Sequence, residues 1–193
     1  MSKLISQRGV SLMEVLISLV VIAVGLLGMA GLQLRAQHAE LEALQRSQAL
    51  ILLDDMVGRV QTNRRSSTAR CYAITDATAG APFAGAGSSA FSCTAYGTTS
   101  TQAAAVADLN QWDALLDGAG EMLGGAGGTA VGAMTGARGC ITYDSGTDLY
   151  RVSVAWQGTT DTAVPDDTCA MGEYGDETKR RVVSRTFRIP DLD

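Results

Sequence analysis

Residues 1–9 form a short basic stub in which Lys3 and Arg8 are the only charged side chains. From residue 10 to residue 34 the chain turns apolar, and its one ionisable side chain there is Glu14. A helix of 25 residues at about 1.5 Å each is roughly 37 Å long, enough to cross the approximately 30 Å hydrocarbon layer of a membrane. Beyond it Leu34, Leu41, Leu44, Ile51, Leu52, Met56 and Val60 recur at helical intervals, with Glu40, Glu42, Arg46, Asp54 and Arg59 between them. No Pro or Gly interrupts residues 32–57, so the pattern predicts one helix over 10–63, roughly 80 Å long, first for lipid and then for packing on a domain.

Residues 64–107 are rich in Ala, Gly, Ser and Thr and show no period, which predicts a long connection with one short strand near 70–74. The stretch DLNQWDALLDG, 108–118, predicts a short helix with Asp108 as its cap and Trp112, Leu115 and Leu116 facing inward. Nine glycines between 118 and 139 predict loop. Strands follow at 140–144, at 150–156 with Tyr150, Val152, Val154 and Trp156 on one face, and at 181–189 with Val183, Arg185, Phe187 and Ile189 alternating against Val182, Ser184, Thr186 and Arg188. The sum is an α+β fold, a long N-terminal helix packed on a small antiparallel sheet.

The basic stub without acids holds the N-terminus in the cytoplasm and sends the rest outward. The apolar run exceeds the roughly 7–15 residues of a secretory signal, and no A-x-A site or lipid-accepting cysteine follows it, so the span is expected to persist. Removing the stub with Lys3 and Arg8 takes the formal net charge from −5 to −7, which disfavours general nucleic-acid binding.

At RGVSLMEV, residues 8–15, the chain resembles the type IV pilin and pseudopilin family with its short basic leader ending in glycine. The resemblance implies that a prepilin peptidase cuts between Gly9 and Val10, that the new N-terminus, Val10, is methylated, and that Glu14 is the glutamate at mature position five. Val10 replaces the commoner Phe, and Gly25, Gly28 and Gly31 stand where a helix-bending proline is usual. The C-terminal stretches YRVSVAWQG and YGDETKRRVVSRTFRI look like the sheet of minor pilins of the pilus-modification, PilV-like kind. A carboxylate in hydrocarbon costs about 2.5–3.5 kcal/mol on insertion scales. The resemblance implies that its partner is the Val10 amine of an adjacent subunit; the bland alternative is an acid near the membrane edge that reaches water. The three glycines permit either close helix packing or local unwinding.

Catalytic chemistry lacks its parts. The single histidine, His38, falls on the long helix, which excludes His-based zinc sites and a Ser-His-Asp triad. GAGSSA (85–90) and GAGGTA (125–130) fit a loose dinucleotide-binding pattern without the strand and helix it needs, and no phosphate-binding G-K-[ST] exists. No enzyme activity and no cofactor are expected. The cysteines, at spacings of 22, 47 and 29, contain no C-x-x-C pair. Two disulfides fit an oxidising compartment and allow three pairings. Cys71 with Cys93 and Cys140 with Cys169 is favoured because it closes the shortest loops; the alternative leaves some thiols free. Asp161, Asp166, Asp167, Glu173, Asp176 and Glu177 crowd one excursion but lack the ordered calcium-loop pattern, so a solvated acidic loop is expected and no metal.

These readings divide the chain into a cleaved leader (1–9), a transmembrane and assembly half-helix (10–34), an amphipathic half-helix (35–63), a glycine-rich connecting region (64–139) and a C-terminal antiparallel sheet (140–193), the lollipop form of a pilin. The function implied is that of a minor type IV pilin, a non-enzymatic subunit for pilus assembly or initiation, with motility or adhesion as its outlet. Its partners would be the prepilin peptidase, other minor pilins, the major pilin and, before assembly, the inner membrane, with a periplasmic head later exposed on the pilus. A type II secretion minor pseudopilin and a membrane-anchored enzyme are the rival readings.

Overall fold

A computed structural model describes residues 11–94, 97–124, 129–130 and 134–189. It divides into two compact units, Met1–Leu41 and Glu42–Asp193. Within the described part of the first unit every residue from 12 onward belongs to helix α1, Leu12–Thr62, and every side chain is exposed. The helix is long and apolar enough to cross a membrane.

The second unit contains the C-terminal part of α1, helix α2 (Arg64–Thr68), strand β1 (Ala84–Gly85), helix α3 (Thr99–Leu116), the short strands β2 (Met122–Leu123) and β3 (Thr129–Ala130), and strands β4 (Arg138–Asp144), β5 (Leu149–Gln157) and β6 (Arg180–Phe187). The main sheet runs in the order β1-β4-β5-β6 with every pairing antiparallel, and β2 and β3 form a separate pair. This is the α+β architecture the sequence pattern predicts.

Of the apolar series predicted along α1, Met56 and Val60 enter the core and Leu52 packs against it, but the rest of the buried face differs. Ala49, Leu53, Met56, Val57 and Val60 are buried, whereas Leu44 and Ile51 stay more than half exposed, as do Leu34 and Leu41 in the first unit. Ala49, with 53, 56, 57 and 60, follows the i, i+4, i+7 spacing of one helical stripe. A small residue at its head lets the partner elements approach, a role that a search for large apolar side chains passes over. Against that stripe lie Leu109, Trp112 and Leu116 of α3 and Ile141, Tyr150, Val152 and Val154 of the sheet.

Helix α3 is longer than the predicted 108–118 segment. Thr98 caps it in a reciprocal box with Thr101, and the stripe Ala105, Leu109, Trp112, Leu116 turns inward. Its first turns are Thr, Ser, Gln and Ala, which read as loop because their helicity rests on the cap and on packing. Asp108 is therefore mid-helix and caps nothing. It accepts hydrogen bonds from Asn63 Nδ2 at 2.6 Å and from the Tyr72 hydroxyl, and Arg59 lies at 3.4 Å. Burial first, and then this bond to Asp108, push the Tyr72 phenol well above its usual range.

Residues 70–72 form a turn and 73–74 belong to no helix or strand, so the expected strand there is absent; the strand of this region is β1, paired with β4. Gly139, assigned to loop by composition, lies inside β4. A Cβ there would fall 2.2 Å from Trp112 Cη2, so only glycine lets the indole lie flat on the strand. The indole N–H donates to the Leu52 carbonyl at 2.9 Å and closes the junction of α1, α3 and sheet.

Candidate assembly site

The chemistry that the sequence singles out lies at the start of α1. Ser11 precedes the helix, and its hydroxyl accepts from the Met13 amide at 3.3 Å. Glu14 lies in the first turn, where the helix dipole favours an anion. Its carboxylate is exposed and has no hydrogen-bond or ion-pair partner among the described residues; its amide donates to the Ser11 carbonyl at 3.0 Å and its carbonyl accepts from the Ser18 hydroxyl at 2.7 Å. Gly9 and Val10, the expected cleavage and methylation positions, lie outside the described residues. Gly25, Gly28 and Gly31 have open space where a Cβ would stand, so nothing among the described residues requires them to be small. His38 is exposed.

In the second unit the structure joins Cys71 to Cys93 and Cys140 to Cys169. The acidic excursion at residues 158–179 is organised by a residue that the sequence analysis passes over. Arg180 is only 1% exposed, and its Nε donates to Glu177 Oε2 at 2.5 Å. Its terminal nitrogens donate to the carbonyls of Asp167 at 2.5 Å, Cys169 at 3.1 Å and Pro165 at 3.3 Å. The Arg-Arg pair at 180–181 that opens the last strand was the available signal.

Four of the six excursion acids are thereby spent on local structure. Asp167 accepts from Ser153 and from the Cys169 amide, Glu173 pairs with Arg138 at 3.2 Å, Asp176 caps the short 3-10 turn Glu177–Lys179, and Glu177 holds Arg180. Among the described residues no three His, Cys, Asp or Glu side chains converge as a metal site requires. Arg138 lies over the Phe83 and Tyr174 rings at 5.1 and 5.0 Å, and burial pushes the Tyr174 phenol up to about 12.

A second missed residue is Glu42, which binds the start of the same excursion to α1. Its Oε1 accepts from the Thr160 hydroxyl at 2.7 Å, the Thr159 hydroxyl at 3.1 Å, the Thr160 amide at 3.2 Å and Arg181 Nη2 at 3.3 Å. The Thr160 hydroxyl is the main reason that this carboxyl lies below its usual range, against the opposing effect of its partial burial. Nothing in the sequence marks a glutamate on a helix as the partner of a loop more than a hundred residues away.

What the arrangement offers is an apolar helix carrying one carboxylate without a partner among the described residues, and a second unit whose acidic excursion is tied down by its own hydrogen bonds and ion pairs. Two family models match the chain. The Prokaryotic N-terminal methylation motif covers residues 5–30, and Type IV pilin Tt1218 covers residues 31–110. No curated protein and no solved structure matches the chain. The methylation motif implies processing by a prepilin peptidase and assembly with other pilins, and the apolar helix fits anchoring in a membrane. With the two matches adjoining each other and the α+β architecture behind them, the chain belongs to the type IV pilin family, whose members are structural subunits and not enzymes.

Proposed function

We propose that this pilin is a minor subunit of the pilus-modification, PilV-like kind, taking part in pilus assembly or initiation. In this reading the leader is cut between Gly9 and Val10, Val10 is methylated, and residues 10–34 hold the protein in the inner membrane with its head in the periplasm until it enters the filament. The observation that carries it is the Glu14 carboxylate, without a partner among the described residues, exposed in the first turn of an apolar helix and inside the matched methylation motif. An acid kept in hydrocarbon at a cost of about 2.5–3.5 kcal/mol calls for a partner from outside the chain. The Val10 amine of a neighbouring subunit has the right charge. Close approach of that neighbour gives Gly25, Gly28 and Gly31, which face open space, a reason to be small.

Binding by the head decides the outlet, whether motility or adhesion, through the other minor pilins and the major pilin that it meets. The test is immunodetection of the protein in sheared, purified pili, together with N-terminal sequencing of the mature chain. Methylated Val10 in a protein recovered at low abundance with pili is the expected result. An intact Met1, or its absence from pili, would overturn the proposal.

A further inference from the structure

The main sheet is covered fully on one face and only in part on the other. Strand alternation puts Tyr150, Val152 and Val154 of β5 on the side of α1, where they are buried, and Leu149, Arg151, Ser153 and Ala155 on the opposite side. On that outer face the strands align Cys140, Ser153 and Ser184 in one row, and the first two are each 2% exposed because Cys169 and Asp167 of the excursion bind them. The neighbouring row is Thr142, Arg151 and Thr186, and there Arg151 and Thr186 are exposed.

A cleft of about 400 Å³ opens on this row, lined also by Leu149 and by Asp144 and Ser145 at the connection from β4 to β5. Its size falls in the roughly 300–1,000 Å³ range of ligand sites. Its donors are not spent on the fold. Of the arginines in β4, β5 and β6, Arg138, Arg180, Arg181 and Arg185 each meet a carboxylate, whereas Arg151 meets none among the described residues. Arg151 Nε donates to Thr186 Oγ1 at 3.4 Å, and its two terminal nitrogens engage no described residue. The Thr142 and Ser145 hydroxyls also have no partner among the described residues. Asp144 shares the cleft but serves its own turn, accepting from the Thr147 hydroxyl at 2.7 Å and the Gly146 amide at 2.8 Å, and these two bonds hold its carboxyl below its usual range.

We propose that this cleft binds an acidic sugar, a uronate whose carboxylate docks on Arg151 and whose hydroxyls meet Thr142, Ser145 and Asp144. A guanidinium with both terminal nitrogens available matches the two oxygens of a planar carboxylate. Ionised Asp144 offsets the charge of Arg151 within the cleft, which disfavours polyanions such as nucleic acid and suits a ligand with one negative charge per residue. The hydroxyls and the remaining acceptor capacity of Asp144 suit a ligand rich in hydroxyls, and Leu149 offers an apolar wall to the C–H face of its ring. Such a site is independent of how the subunit enters a filament.

The experiment is titration of the isotope-labelled full chain, in a detergent without a sugar headgroup, with sodium glucuronate, glucose, acetate and inorganic phosphate, read by NMR shifts of the Thr142, Ser145 and Arg151 amides. Saturable shifts with glucuronate are expected, with glucose and acetate at least about tenfold weaker. A hyaluronan tetrasaccharide separates the two sources: tighter binding than glucuronate assigns the cleft to a polysaccharide, and equal binding to a free sugar acid. R151Q is expected to abolish the shifts and R151K, which keeps the charge without the fork, to weaken binding at least about tenfold. R185Q, on the α1 side of the sheet, is expected to bind as wild type. No saturable shift with either uronate, phosphate binding as tightly as glucuronate, or unchanged binding by R151Q would overturn the proposal.

Discussion

Replacing Arg180 with Met tests whether one guanidinium holds the whole excursion between β5 and β6. The substitution keeps the length and apolar stem of the side chain and removes four hydrogen bonds, one to Glu177 and three to the carbonyls of Pro165, Asp167 and Cys169. Those carbonyls converge on a position 1% exposed to solvent, so no water replaces the donor without movement of the loop. Glu177, 27% exposed, turns to water more easily. Breaking a buried ion pair from one side costs about 3–5 kcal/mol. For a domain of this size each 1 kcal/mol lowers Tm by about 2–4 °C, so the expected fall is roughly 6–20 °C.

The measurement is thermal unfolding of the full chain in detergent followed by tryptophan fluorescence. Both tryptophans, Trp112 and Trp156, are buried in the second unit, so the signal reports the head. E177Q removes the charge but leaves the carbonyls served, and is expected to lower Tm by less than half as much. A Tm for R180M within about 2 °C of wild type would refute the reasoning. Equal falls for the two variants would assign the stability to the ion pair instead of the carbonyl cluster.

G139A is expected to destabilise the head by about 1–3 kcal/mol, because the new methyl group meets the Trp112 ring and the surrounding core has to shift; denaturant unfolding measures it. Glu42 titrates below its unfolded value of 4.5, so its clasp on Thr160 contributes stability that is present above about pH 4.5 and lost as pH falls through the lower folded value. Amide exchange at Thr160 should rise across that window in wild type but not in E42Q, and parallel behaviour of the two proteins would remove Glu42 from the account. E14V is expected to insert into membranes normally, since it makes the span more apolar, and to be lost from sheared filaments. Wild-type incorporation would show that the carboxylate has no assembly partner.

The long N-terminal helix was legible because its signal is local and dense. An apolar run long enough to cross the hydrocarbon layer says lipid without reference to any other part of the chain. The strands β4, β5 and β6 were legible for a related reason, since alternation along Tyr150, Val152, Val154 and Trp156 marks the face on the main core, although Ser153 and Ala155 on the opposite face are buried as well.

Tertiary structure decided what depends on distant partners. The stripe of α1 that enters the core is led by Ala49, and only the position of α3 and the sheet selects it over the larger Leu44 and Ile51. The N-terminal turns of α3 are helical through a Thr98 cap and a stripe that includes a second small residue, Ala105. Gly139 looks like another loop glycine until Trp112 is brought against it. Glu42 and Arg180 are ordinary charges in sequence and become clasps because folding places the hydroxyls of the excursion's start beside one and the carbonyls of its middle around the other. Periodicity records how a segment divides its own surface, but a small residue or a single charge acquires its role from what folding sets opposite it, and that partner lies outside the segment's own pattern.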